Sequence, residues 1–405
     1  MMAASPLLAP CICFQVHQPY RLTSYDFFQI GQRSYYEDDE LNRRVFSKVA
    51  EKCYLPAAQF FRKLIERSEG RFRIALSFTG LVLEQMADYR PDVLDSFCDL
   101  IATGGVEVLG ETYYHSLASL YSFAEFQRQI NLHGAKVREV FGVEPRVFRN
   151  TEFIYSNRIA TEVESLGFRG ILAEGVPWVH PHSEANYLVK APGTKAVKIL
   201  LRNSFLSDDL AFRFTDKTWK GYPLNAADYC ERLAGMHGQL LNIFMDFETI
   251  GEHQWRDSGT FRFWEEFVSM YLERGGEFVS PSMAVARFEV ESDYDCSQPT
   301  SWAESERDPS AWIGNAMQKE AALKIHGIEQ AVMETGDPRL IHSWSKLQCS
   351  DHFHYMNSRV GSDGLAHRYL SPFETPYDAY IYFMNALADL QIRVDRINIA
   401  RSFLV

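Results

Sequence analysis

At 405 residues the chain exceeds one minimal domain and is long enough for a large barrel with an appendage. Hydrophobic content of 46% and charged content of 23% describe an ordinary folded protein without low-complexity tracts, which argues against extended disorder. A formal charge of -12 and the lack of any basic run argue against nucleic acid or another polyanion as partner.

Met1 to Pro10 has no basic residue ahead of its short apolar stretch, so it reads poorly as a signal peptide. No apolar run approaches the roughly 20 residues that span a bilayer. The seven cysteines are odd in number and contain no C-x-x-C pair, and Cys11 and Cys13 alternate along one strand, too parallel to bridge comfortably. A reduced, cytoplasmic setting is expected. Nothing in the sequence sets the oligomeric state.

From Pro10 to about residue 285, short apolar runs alternate with longer amphipathic stretches. The expected strands are 11–16, 73–78, 106–109, 146–148, 170–173, 198–201 and 241–245, with 277–280 as a further candidate. Pro56 and Pro91 each open a helical pattern, and Ser122 followed by Glu125 has the capping-box arrangement ahead of a helix to Phe141. Seven or eight such units suggest a parallel sheet closed into a barrel. An open doubly wound sheet is the competitor, but no G-x-G-x-x-G follows any strand. Beyond residue 300 the strands stop, and 310–335, 339–349 and 375–403 read as amphipathic helices with loop material around 357–370. The expected division is a barrel over 1–290 and a helical domain over 291–405.

Chemistry concentrates where the strands end, because the C-terminal ends of parallel barrel strands share one rim. The first strand ends in Gln15-Val16-His17-Gln18-Pro19, presenting His17 as either a structural group or a substrate contact. The third leads through Glu107 and Glu111 to His115. An inward Glu needs a partner or a task, and for Glu107 a pair with Arg149 is the structural alternative. The fourth delivers Arg149 and Glu152, where a nearby Arg would hold the carboxylate ionised. The seventh delivers Asp246 and Glu248, followed by His253 and Trp255. Burial and a neighbouring carboxylate would raise the Asp246 pKa, as a general acid requires. A rival use of His17, His115, His253, Asp246 and Glu248 is a metal site, although no H-x-x-x-H or H-E-x-x-H spacing exists.

Taken together, Gln15-Val16-His17-Gln18-Pro19, the Glu111–Leu117 segment, Asn150-Thr151-Glu152 and Asp246-Phe247-Glu248-Thr249-Ile250-Gly251 resemble glycoside hydrolase family 57, in particular its shorter α-amylase-type members. The resemblance implies an incomplete (β/α)7 barrel followed by an α-helical C-terminal domain. It implies retaining cleavage of α-glucans with Glu152 as nucleophile and Asp246 as general acid/base, without cofactor or metal. It places His17, Glu107, Arg149, His115, Glu248, His253 and Trp255 around the sugar, with Trp312 as the aromatic of the helical region and Trp302 as its alternative. Gln15 stands where the family's first motif has a histidine, and is expected as a further substrate contact that keeps hydrogen bonding to a sugar hydroxyl but removes a titratable ring. Retention implies carboxyl groups about 5–5.5 Å apart. The expected activity is α-1,4-endo-hydrolysis of an α-glucan or maltooligosaccharide, with 4-α-glucan transfer or branching on the same two carboxylates as the alternative. A non-catalytic glucan-binding barrel and a metal-dependent deacetylase remain further alternatives.

Overall fold

The computed structural model describes residues 7–179, 185–359 and 371–403. The start of the N-terminal stretch and most of the expected 357–370 loop lie outside the described residues.

Seven strands run parallel around a barrel: β1 (Ala9–Val16), β2 (Ile74–Phe78), β3 (Val106–Leu109), β4 (Val147–Arg149), β5 (Gly170–Glu174), β7 (Lys198–Arg202) and β8 (Leu240–Asp246). Their order is β3-β2-β1-β8-β7-β5-β4. The open ends of that path meet at one point, where Gly110 N–H donates to Val147 O at 2.9 Å and Arg149 N–H donates to Gly110 O at 2.8 Å. A side chain at Gly110 would put its Cβ 2.6 Å from the Phe168 ring, so glycine permits this closure. The result is a nearly closed (β/α)7 barrel.

Two short strands escaped the sequence reading: β6 (Leu188–Lys190), antiparallel to β7, and β9 (Val290–Asp293), parallel to β6. Three or four residues are too few to display a period. The candidate at 277–280 is corrected. It is an extended segment tied by Val279 N–H to Pro10 O at 3.0 Å, and it feeds a helix that Pro281 opens.

Alternation along each strand divides the core in two. On β1, Ile12, Phe14 and Val16 pack outward among helix residues such as Phe61, Phe97 and Trp264. Cys11 and Cys13 point inward with Ala75, Leu109, Val147, Leu172, Leu200 and Phe244. Small residues on β1 and β2 leave room for the larger ones opposite, filling the barrel as a packed core.

Ser122 caps the Phe123–Phe141 helix by accepting from Glu125 N–H. Glu125 does not complete the box, because its carboxylate takes Arg128 and Gln129 instead. In the C-terminal region the expected 310–335 helix is three: Ser310–Ile313, Ala316–Gly327 and Glu329–Thr335. The first break falls where Asn315 and Gln318 form a capping box. Pro338–Leu347 and Ser350–His354 follow, and Thr375 caps the final helix Pro376–Ser402. No described helix is long and apolar enough to cross a membrane.

Candidate active site

The inward parity that packs the barrel also brings polar residues to its C-terminal rim. Gln15 ends the inward row of β1, in register with Asp246 on β8 and Ser77 on β2. Arg149, Glu174 and Arg202 end the rows of β4, β5 and β7. Glu107 and Glu111 share one parity but lie four residues apart, about 13 Å along an extended chain. Only Glu111 reaches the rim.

Glu152 sits in a tight turn directly after β4, with a left-handed φ of 54°. A non-glycine residue held there marks a backbone over-determined by its surroundings. Three donors from three parts of the chain meet its carboxylate. His115 Nε2 lies 3.0 Å and Ser350 Oγ 2.9 Å from Oε1, and Trp302 Nε1 lies 2.9 Å from Oε2. Burial pushes the Glu152 pKa up, but the hydrogen bond and charge of His115, followed by the charge of Arg149, outweigh it and leave the pKa below its ordinary value.

His115 joins two carboxylates. Its Nδ1 lies 2.7 Å from Glu111 Oε1 while Nε2 faces Glu152. Burial alone would lower its pKa, yet the two carboxylates raise it to about 9. Glu111 is fully buried and held by Ser77 Oγ at 2.6 Å and Arg149 Nη1 at 3.2 Å. Against the upward push of burial, Arg149 and His115 bring its pKa down to about 2. Gln15 lies behind this pair, its Nε2 3.3 Å from His115 Nδ1 and 3.5 Å from Glu111 Oε1. Arg149 is itself buried against the rings of Phe153, Phe244 and Trp302.

Asp246 lives in the opposite environment. Burial raises its pKa, His253 opposes that, and the charge of Glu152 adds to it. Glu248, two residues on, accepts from the Tyr54 hydroxyl and, at 3.4 Å, from His17 N–H. Burial and then the charge of Asp246 drive its pKa up to about 8.

His17 packs at a tilt of 32° against His115 with ring centres 4.1 Å apart and bonds Thr79 Oγ1 and Asp351 Oδ2, each at 2.9 Å. Burial, then the His115 charge, lower its pKa. His17, His115 and Asp351 are also the one described group whose ligand atoms could converge on a metal ion. Each of its imidazoles is already engaged within the protein: His115 Nδ1 lies 2.7 Å from Glu111 and Nε2 3.0 Å from Glu152, and His17 joins Thr79 and Asp351.

Three expected site residues are not brought to this cluster. Glu107 accepts from Ser282 N–H at 2.8 Å and Ser282 Oγ at 2.5 Å, so it caps the Pro281–Arg287 helix. Trp312 is buried in the helical core, whereas its alternative Trp302 touches Glu152. Trp255 is 66% exposed beyond the rim, with Lys52 Nζ 5.2 Å from its ring centre. Ser350 and Asp351 escaped the sequence reading, since a Ser-Asp pair opening a helix looks like an ordinary cap. Glu174 and Arg202 escaped it too, each standing one residue past an expected strand end.

The profile of glycosyl hydrolase family 57 matches residues 11–295. A protein of Methanocaldococcus jannaschii named "Putative alpha-amylase" is 39% identical over 392 residues, covering 93% of this chain and 83% of its own. Among solved structures the fold is similar to a family 57 branching enzyme from Thermococcus kodakaraensis, with TM-score 0.67, 14% identity, and coverage of 93% of this chain and 88% of that one. It is also similar to the 4-alpha-glucanotransferase of Thermococcus litoralis, with TM-score 0.65 and 15% identity; the match covers 94% of this chain and 60% of that longer one. An alpha-amylase from Thermotoga maritima gives TM-score 0.61 at 13% identity, covering 95% and 94% of the two chains. By profile and by relative alike, the chain belongs to glycosyl hydrolase family 57.

Proposed function

We propose that the protein is a retaining α-glucan-processing enzyme, with Glu152 as nucleophile and Asp246 as general acid/base, acting chiefly as an α-1,4-endo-hydrolase. The observation that carries this reading is the divergence of two rim carboxylates. Glu152 is held ionised by three donors, while Asp246 is pushed toward its neutral acid by burial and by Glu152 itself. In the first step Glu152 attacks the anomeric carbon as Asp246 gives its proton to the departing glycosidic oxygen. In the second, Asp246 takes a proton from water, and the resulting hydroxide equivalent displaces Glu152 from the sugar. His17, His115, Arg149, Glu248, His253 and Trp255 form the surroundings of the reacting sugar, with Asp351 and Trp302 joining them.

An acceptor sugar can replace water, and the same intermediate then gives 4-α-glucan transfer or branching. The relative's amylase name favours water. The glucanotransferase and branching-enzyme titles among the similar folds keep transfer as the second reading. Seven unpaired cysteines support a cytoplasmic setting.

Maltoheptaose separates the readings. Hydrolysis raises the number of reducing ends, disproportionation keeps it constant, and branching creates α-1,6 linkages. Glu152→Gln should abolish turnover while oligosaccharide binding persists; turnover at the wild-type rate would sink the assignment. Loss of activity in EDTA would point instead to metal-dependent chemistry.

A further inference from the structure

Glu152 Oε1 receives two donors and Oε2 only one, the indole N–H of Trp302, among the described residues. Oε2 therefore keeps a lone pair for attack, and the indole fixes its direction.

That indole is itself held by an unusual amount of charge. The Arg202 guanidinium lies 5.7 Å and that of Arg149 5.6 Å from its ring centre, while Phe153 stacks against it at 5.3 Å and 16°. Arg202 cannot swing away. Its Nε donates to Phe244 O at 2.9 Å, Nη1 to Glu174 at 3.2 Å and Nη2 to Asp208 at 2.6 Å. Arg307 secures the Trp302 backbone by donating to its carbonyl, and reaches Glu174 at 3.7 Å. The loop between them carries two left-handed non-glycine residues, Glu304 and Arg307, a conformation that persists only where surroundings enforce it. Cations near an aromatic face draw on its π density, which leaves the indole N–H more positive and a stronger donor to a carboxylate.

We propose that Arg202, clamped by Glu174 and Asp208 against Trp302, is a positioning residue of the reaction: it fixes and polarises the indole N–H that steers Oε2 of Glu152. The inference rests on Glu152 being the nucleophile. Arg202 touches no substrate in this scheme and acts only through the tryptophan.

The test is the pH profile of kcat/KM on maltoheptaose for Arg202→Lys, Trp302→Phe and the double variant, with thermal melts as a check on folding. Removing the indole hydrogen bond to the ionised carboxylate (Trp302→Phe), or loosening and weakening it (Arg202→Lys), raises the pKa of that carboxylate, so each single variant should move the acid limb up, by about 0.5–1 pH unit. kcat should fall about tenfold with KM little changed. In the Trp302→Phe background, Arg202→Lys should add nothing further. If Arg202→Lys does not accumulate folded, Glu174→Gln/Arg202→Gln removes both buried charges together and should give the same shift. An acid limb at the wild-type position, or shifts that add in the double variant, would overturn the inference. Glu152→Gln run alongside keeps the failures apart. If it turns over normally the nucleophile reading falls, whereas an inactive Glu152→Gln beside an unmoved Arg202→Lys profile sinks the positioning role alone.

Discussion

His115 bridges two acids: one ring nitrogen lies 3.0 Å from Glu152 and the other 2.7 Å from Glu111. Its charge is thus favoured from behind by the fully buried carboxylate of Glu111 and helps to keep the one in front ionised. Replacing it by Gln keeps donor capacity and removes the charge. His115→Gln should lower kcat/KM by about 10²-fold, the scale of losing a preorganised charged donor. The acid limb should move up, because Glu152 then loses the larger of its two favourable charges and keeps that of Arg149. An unchanged acid limb would show that the imidazolium does not control the nucleophile.

The same bridge makes stability depend on pH in two windows. His115 titrates at about 9 folded against 6.5 unfolded, so its contribution is fully present below pH 6.5 and is lost as pH rises through 9. Glu111 titrates at about 2 folded against 4.5 unfolded, so its contribution is present above pH 4.5 and is lost as pH falls through 2. Both shifts describe largely one interaction, worth on the order of 3 kcal/mol at most and not counted twice. Denaturant midpoints measured from pH 6 to 10 should therefore fall for the wild type and stay flatter for His115→Gln. A parallel decline in both proteins would contradict this.

Strand ends were the legible part of this molecule. Period-two alternation places Gln15, Arg149 and Asp246 on inward rows, so the barrel and both carboxylates of the proposed pair could be read from apolar runs that stop at a polar residue. Choosing between Glu107 and Glu111 could not be done that way. They share a parity, and only the depth of each in the barrel separates a helix cap from a rim acid. Ser350 and Asp351 were illegible for another reason, and Trp302 entered only through the family resemblance, as the alternative to Trp312. They come from loops and a short helix 150 to 199 residues beyond Glu152. No local pattern records where such a segment folds back. Their proximity to the rim is a product of tertiary packing alone.

Glu107 offers a direct check on that distinction. Its carboxylate takes both the backbone N–H and the hydroxyl of Ser282, a capping arrangement at the first turn of the Pro281–Arg287 helix. Glu107→Ala should cost about 1–2 kcal/mol of stability through the lost cap. Its kcat and KM on maltooligosaccharides should match the wild type at temperatures where both are folded. A selective fall in kcat with full stability would return Glu107 to the chemistry.

Asp246 is best tested by separating the two halves of its proposed work. As an acid it matters only when the leaving group needs a proton, and as a base it matters only when water or a sugar hydroxyl must be activated. Asp246→Asn preserves shape and removes both functions. On maltooligosaccharides the first step should slow by about 10²–10⁴-fold. With an aryl α-maltooligosaccharide whose phenolate leaves unaided, the glycosyl-enzyme should still form, and one equivalent of phenol should appear as a burst before slow turnover. Added azide needs no general base, so it should accelerate the second step and yield a glycosyl azide of retained α configuration. Nearby charge sharpens the expectation. Glu152 raises the pKa of Asp246 only while it is ionised, and once esterified to sugar it carries no charge, so Asp246 then becomes the stronger acid its second role requires. An equal loss on activated and natural substrates in a folded variant, with no burst and no azide product, would remove Asp246 from the mechanism.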